Sequence, residues 1–305
     1  MHKRLKKQLW YSFLFFVALG YCLTPFSGYA TNQIYAENSL SDIQTTDGLK
    51  SSYFVPWAQG FFQKAHNSQN IGFDSYAKGM VYGVDAQINE NWLVRLGYTR
   101  SHVKTQEVTQ KTTSNGDNYF LQVKYQPQKW YVQTSVNYGH RKNKYRSDDF
   151  MAHNRLDTYA AEFLSGYHFG IAHNYSGIRY HYSKPSAYIS NSERFDVKNT
   201  QILTATIGTE VSKQIKQNSY MYWQPAFRLS GSYDFISDNS AATVFVPNAY
   251  TSFNVDTYRL HRASLQTGIG LATQIGQLRL SVDYDLDWRV SHLTQTGLIK
   301  IQYTF

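Results

Sequence analysis

From Tyr53 to the last residue one pattern repeats: apolar and polar side chains alternate with a period of two. Over 92–101, Trp92, Val94, Leu96 and Tyr98 share one face, while Arg95, Gly97, Thr99 and Ser101 share the other. Over 80–88, Met80, Tyr82, Val84, Ala86 and Ile88 oppose Val81, Gly83, Asp85 and Gln87. Over 130–138, Trp130, Val132, Thr134, Val136 and Tyr138 oppose Gln133, Ser135 and Asn137. Over 278–288, Leu278, Leu280, Val282, Tyr284, Leu286 and Trp288 oppose Arg279, Ser281, Asp283, Asp285 and Asp287. Successive side chains of a strand leave on opposite sides, so this texture predicts strands with one apolar and one polar face. Residues 31–50 carry no such pattern.

Twelve strands follow, with cores near 53–63, 74–88, 91–104, 117–126, 130–141, 157–169, 174–184, 198–213, 219–235, 257–274, 278–289 and 293–305. Short connections fall at 89–90, 127–129, 170–173, 216–218 and 275–277, and longer ones near 64–73, 105–116, 142–156, 185–197 and 236–256. A soluble β-sandwich alternates too, but three features point elsewhere. The strands are about ten residues long, which suits a tilted membrane crossing. Their apolar faces end in Trp or Tyr, as an interfacial girdle requires. Their other faces carry Arg, Asp, Glu, Gln, Ser and Gly, which need water or one another. The predicted fold is all-β, a transmembrane up-and-down antiparallel barrel of about 12 strands, with apolar faces toward lipid and polar faces toward the lumen. Closure leaves no sheet edge unpaired in lipid. Short turns on one side and long loops on the other place both barrel ends at the periplasmic side.

Composition narrows the classes. Charged residues make up 17% and aromatics 16%, the reverse of a disordered chain. Beyond the N-terminus no run of 18 apolar residues occurs, so spanning helices are not expected. The net charge of +9 includes Lys3, Arg4, Lys6 and Lys7; without those four it is +5. The remaining charges are dispersed, so no nucleic-acid partner is expected. Residues 1–30 read as a signal peptide, with that basic start, an apolar stretch over 9–23, and Gly28 and Ala30 at the small-residue positions before cleavage near Ala30. The one cysteine, Cys22, lies inside this leader, and Tyr21 before it argues against lipoprotein processing. The expected organisation is thus a leader over 1–30, a short polar segment over 31–52 able to thread or plug the lumen, and a barrel over 53–305.

At this point the residues resemble a known family. The stretch 79–88 (GMVYGVDAQI) followed by 89–100 (NENWLVRLGYTR) looks like the second and third strands of the autotransporter β-domain, and 57–60 (WAQG) resembles its first. The ending 299–305 (IKIQYTF) is similar to the terminal signal read by the barrel assembly machinery, with Ile299, Ile301, Tyr303 and Phe305 on one face. The resemblance covers roughly 53–305. It implies a twelve-stranded barrel in the outer membrane of a Gram-negative bacterium, crossed by a helix leading to an exported passenger. Residues 31–52 are too few for a folded passenger, so the barrel itself is expected to be the product, a structural or adhesive surface protein. A small passive pore and a barrel-embedded hydrolase are the alternatives.

The predicted lumen faces carry Asp85, Arg95, Lys124, Glu162, Arg179, Glu210, Arg228, Asp234, Arg262, Arg279, Asp283, Asp285, Asp287, Arg289 and Lys300. A ring of charge would set ion preference, but the signs nearly balance, which favours a cross-lumen salt-bridge network. The Asp283, Asp285 and Asp287 stripe needs cations, and Arg279 and Arg289 bracket it; as Ca²⁺ ligands, strand-spaced carboxylates are a weak set. His181 and Ser183, two apart on a strand, have the spacing of a Ser–His pair, yet they share the inward face with Arg179 and are followed by Lys184 and Pro185. Asp148, Asp149 and His153 gather in an expected external loop, without a second Asp–His pair to activate water. Arg141, Lys142, Lys144 and Arg146 form a basic cluster at the external rim, suited to lipopolysaccharide phosphates. The expected partners are outer-membrane lipid, lipopolysaccharide and the assembly machinery. No cofactor, metal or catalytic residue is expected, and nothing indicates an oligomeric state.

Overall fold

The computed structural model describes residues 53–68, 73–107, 110–147, 151–190, 193–218, 221–238, 241–246, 251–256 and 261–304. The leader, the segment 31–52, Asp148, Asp149 and Phe305 therefore lie outside the described residues.

Twelve strands close into one antiparallel barrel. Seven come first: β1 (Tyr53–Asn67), β2 (Phe73–Asn89), β3 (Trp92–Glu107), β4 (Gln110–Tyr125), β5 (Trp130–Ser147), β6 (Met151–Phe169) and β7 (Ala172–Pro185). Then come β10 (Thr200–Ser212), β12 (Met221–Ser237), β15 (Ala263–Ile275), β16 (Leu278–Arg289) and β17 (His292–Tyr303). Each pairs with its neighbour in this order, and β17 closes on β1 from Trp57↔Gln302 to Asn67↔His292. The short β11 (Ile215–Lys216) folds back on β12. Pro225, which has no N–H for the ladder, sits at the end of the β10–β12 pairing, where its carbonyl accepts from Lys213 N at 3.3 Å.

Two expected loops are not loops. β3 runs to Glu107 and β4 starts at Gln110; β5 runs to Ser147 and β6 starts at Met151. The ladder pairs Thr105 with Thr112 and Arg146 with Met151, because hydrogen bonding does not need apolar side chains. Beyond the bilayer the outer face meets water instead of lipid, so its apolar side chains stop while the strands go on and the inner face stays buried. Two more of the five long connections contain strands of their own. Between β7 and β10 lie β8 (Tyr188–Ser190) and β9 (Glu193–Val197), and between β12 and β15 lie β13 (Ala241–Val246) and β14 (Thr251–Asp256). These four form a separate antiparallel sheet in the order β14-β13-β9-β8. It is tied to the barrel where Tyr188 stacks on Tyr145 at 6.0 Å and Ser186 N donates to Arg155 O at 2.7 Å.

The burial is that of a soluble protein turned inside out. Ile207 is 70% exposed and Phe169 74%, whereas Lys124 and Glu210 are each 1% exposed. So much apolar surface facing outward is stable only against lipid. The inner wall is not uniformly polar, however. Trp57, Phe61, Ala77, Val81, Val103, Phe120 and Leu298 form an apolar cluster on β17 and β1–β4, and Tyr131, Leu164 and Tyr175 form a second.

Candidate functional site

Strand alternation brings the inner faces together around the lumen, and there most of the predicted charges meet. Asp85 and Arg95 are opposite residues of β2 and β3. Arg95 donates to both carboxylate oxygens, at 2.7 and 2.6 Å, and Trp57 Nε1 donates to Asp85 Oδ1 at 2.7 Å. The Trp57 ring also lies beneath two cations, Arg95 at 5.4 Å and Lys300 at 4.9 Å. Such a bidentate pair, desolvated and extended by an indole, holds three strands in register. Arg179 is likewise opposite Glu162 and donates to it through Nε at 2.9 Å and through Nη2. Lys124 stands over the Tyr131 ring at 4.4 Å. Glu210 lies between His173 and Arg228 in the ladder.

The aspartate stripe is resolved differently from the expectation. Arg228, two strands away on β12, reaches Asp283 at 2.9 Å and Asp285 at 3.0 Å. Between them, on β15, Gly268 is opposite both Arg228 and Asp285, and Gly270 is opposite Asp283. A side chain at either glycine would occupy the space of the carboxylates. Arg279 instead turns to Gln224 Oε1 at 3.2 Å and the Tyr222 hydroxyl at 3.4 Å. Arg289 turns to Asp234 at 2.7 Å, whose other oxygen accepts from Thr204 Oγ1 at 2.7 Å. Gln266 donates to Asp287 at 3.2 Å. The guanidinium of Arg228 thus supplies the positive charge that the carboxylate stripe needs. Among the described residues no group of three or more His, Cys, Asp or Glu side chains could hold a metal ion. Arg262 lies just ahead of β15, half-buried, and its carbonyl accepts from Asp234 N at 2.9 Å.

The Ser–His pair does form: His181 Nε2 and Ser183 Oγ are 2.8 Å apart. Both are buried on the inner face, His181 opposite Ile202 and Ser183 opposite Thr200. His153 is not beside them. It lies exposed on the outer face of β6.

The basic cluster at the rim is split by strand parity. Arg141 faces inward and is buried, a correction to its expected place among lipopolysaccharide contacts, because position 141 shares the lumen face with Gly139 and Asn143. Lys142, Lys144 and Arg146 stay on the outer face, exposed. Lys142 is joined there by its opposite neighbour Arg155. Ile299, Ile301 and Tyr303 also face outward, with the Tyr303 hydroxyl donating to Gln277 at 2.6 Å.

One outer-face feature escaped the sequence reading. Tyr82, Tyr98, Tyr119, Tyr138, Tyr159 and Tyr182 are each directly opposite the next, a continuous row across β2–β7. Neighbouring rings pack, as in Tyr98–Tyr119 at 5.2 Å and Tyr138–Tyr159 at 5.3 Å. The next row outward carries Arg100, Asp117, His140, Asp157 and Lys184. The row after it carries Lys78, His102, Asn115, Lys142 and Arg155. Toward the outer ends of these strands aromatic rings are thus followed by alternating charges and then by an excess of cations, the order of residue types found at a lipid interface.

Comparison with known proteins adds to this geometry. The family model described as "Autotransporter beta-domain" matches residues 56–285. The fold is similar to the translocator domain of the autotransporter NalP from Neisseria meningitidis, at 15% identity and a TM-score of 0.72, covering 92% of this chain and 97% of that one. It is also similar to the β domain of the Bordetella autotransporter BrkA, at 12% identity and a TM-score of 0.58, covering 83% and 100%. The transport unit of AIDA-I from Escherichia coli gives 13% identity and a TM-score of 0.54, covering 92% and 99%. No curated protein matches the chain.

Proposed function

The chain belongs to the autotransporter β-domain family, and on that premise we propose that this outer-membrane barrel acts as a surface protein whose external sheet is its adhesive face. The observation that carries the reading is the pairing of β9 with β13, which joins the two longest connections into one sheet beyond the barrel. A barrel that only anchored or conducted would not need these hairpins to fold together. Residues 1–30 are proposed to be removed near Ala30, leaving the polar segment 31–52 ahead of β1 on the periplasmic side, with access to the lumen. Ile299, Ile301, Tyr303 and Phe305 are proposed as the contact for the barrel assembly machinery. Lys142, Lys144, Arg146 and Arg155 are proposed to meet lipopolysaccharide phosphates above the tyrosine row.

The barrel is proposed not to be an enzyme. His181 and Ser183 lie behind the wall, away from any lipid substrate, among inner-face polar groups that explain their hydrogen bond.

The test is cell attachment. Cells displaying the full barrel are compared with cells in which 241–256 is replaced by a short turn. Equal amounts of heat-modifiable barrel with attachment reduced about tenfold support the reading. Unchanged attachment, with the variant folded and inserted, overturns it.

A further inference from the structure

The outer wall is dented where the barrel closes. A cavity of about 950 Å³ lies over β16, β17, β1, β2 and β3. Its floor includes Gly60 and Gly297. These two differ from the glycines of the inner wall. A Cβ at Gly60 would meet nothing within 4 Å, and one at Gly297 would meet only Phe62 O at 4.0 Å. Packing of the chain against itself therefore does not explain them. Their ladder partners on the same outer face are bulky: Met80 and Ile299 for Gly60, Phe62 and Tyr284 for Gly297. The result is a trough among large apolar side chains, bounded by Tyr82 and Tyr98 on one side and Tyr284 on the other. Tyr82 and Tyr98 begin the tyrosine row, so the trough interrupts the aromatic layer at the seam.

Its outer end is basic. Lys78, Arg100 and His102 line it there, and Lys78 and Arg100 are exposed. Neither Lys78 nor Arg100 forms an ion pair among the described residues. Asp117, opposite Arg100, accepts from the Tyr98 hydroxyl at 2.5 Å. An apolar trough beside the aromatic row, with the exposed cations Lys78 and Arg100 outnumbering the single carboxylate Asp117 at its outer end, fits one kind of molecule: an amphiphile whose acyl chain lies in the bilayer and whose phosphate faces outward.

We propose that the seam trough is a binding site for a phosphorylated glycolipid of the outer leaflet, an acyl chain lying over Gly60 and Gly297 and a phosphate held by Lys78 and Arg100. The inference rests on the reading of the outer face as a lipopolysaccharide contact and deepens it, because it fixes where one molecule is held. A second copy of the barrel is the rival occupant, and it would need no phosphate.

The test uses the folded barrel purified in detergent and titrated with bisphosphorylated lipid A, with lipid A stripped of both phosphates as the comparison. Native mass spectrometry reads the bound fraction. The expected result is retention of one molecule, about tenfold weaker without the phosphates. The double variant Lys78→Gln, Arg100→Gln is expected to weaken binding of the phosphorylated form about tenfold and to leave the stripped form unchanged. Both residues are exposed, so this variant keeps its fold. Gly297→Leu, which fills the trough, is expected to weaken both forms. Equal binding of the two lipids overturns the phosphate site. If Lys142→Gln, Lys144→Gln, Arg146→Gln abolishes retention while the Lys78 and Arg100 variant does not, the trough is overturned and the wider lipopolysaccharide contact stands. If no variant and neither lipid changes anything, both fall. Dimers that Gly297→Leu disrupts, without lipid retention, would assign the trough to a second copy.

Discussion

Two stretches of the inner wall solve the same problem with different chemistry. On β1–β4 large aromatic rings lie flat on directly opposite glycines, Trp57 on Gly83, Phe61 on Gly79 and Phe120 on Gly97. On β12–β16 an arginine lies across glycines to reach carboxylates, Arg228 over Gly268 and Gly270 to Asp285 and Asp283. In both places glycine is needed for close approach, not for an unusual backbone angle. The aromatic side behaves as a packed core facing the lumen. The ionic side depends on a charge balance that no packing replaces. A barrel wall one strand thick thus carries rings on glycines on one side of its seam and an arginine across glycines on the other, with the buried Asp85–Arg95 pair set against the Trp57 ring on the aromatic side.

The comparison is sharpened by substitution, with unfolding free energies taken from denaturant titration of the barrel in phospholipid vesicles. The largest effect is expected at Arg228. Arg228→Leu leaves two buried carboxylates without their guanidinium, a loss of about 3–5 kcal/mol; an unchanged midpoint would mean that the ionic wall contributes nothing net. Gly83→Ala comes next. Its Cβ would collide with the rigid Trp57 ring and approach Leu96 O to 2.7 Å, so about 1–3 kcal/mol is expected, together with altered Trp57 fluorescence. Gly270→Ala meets a carboxylate that can swing aside, so about 1 kcal/mol or less is expected. A larger cost there than at Gly83 would invert the distinction between rigid and yielding partners. The smallest effect is at the outer interface: Tyr138→Phe removes an exposed hydroxyl 3.3 Å from Asp157 and is expected to change stability by no more than about 0.5 kcal/mol.

How much of this was legible depends on which force shapes each part. Inside the bilayer, alternation is enforced by lipid on one face, and the strands from Met80, Trp92, Trp130 and Leu278 were readable directly. Outside it that force ends, so the continuation through Thr105, Thr112, Asn143 and Asn154 left no hydrophobic trace, although these residues are buried on the inner face. Arg141 was misplaced for the same reason: in a run of basic residues only strict parity separates it from Lys142. The inward charges were visible as types, but their partners were not. That Asp283 and Asp285 would take Arg228 depends on which strand lies two away and on two intervening glycines, facts of sheet order. The tyrosine row did leave a signal. Tyr82 and Tyr98 flank the turn at 89–92, seven residues before it and six after, and Tyr119 and Tyr138 flank the turn before Trp130, six residues before the end of β4 and eight after the start of β5. The external sheet left none, because its strands are three to six residues long.

The strands differ in length in an ordered way. β5 and β6 have 18 and 19 residues, while β16 and β17 have 12 each and meet through the two-residue turn Val290–Ser291, with Ser291 at φ 61°. All four have one end at the side opposite the external sheet, so six or seven extra residues, about 20 Å of strand, stand on one side of the other rim. The barrel is cut obliquely, like a quill. Its opening faces sideways across the membrane surface, toward β16 and β17, and a visitor arriving along that surface meets the mouth before one descending from above.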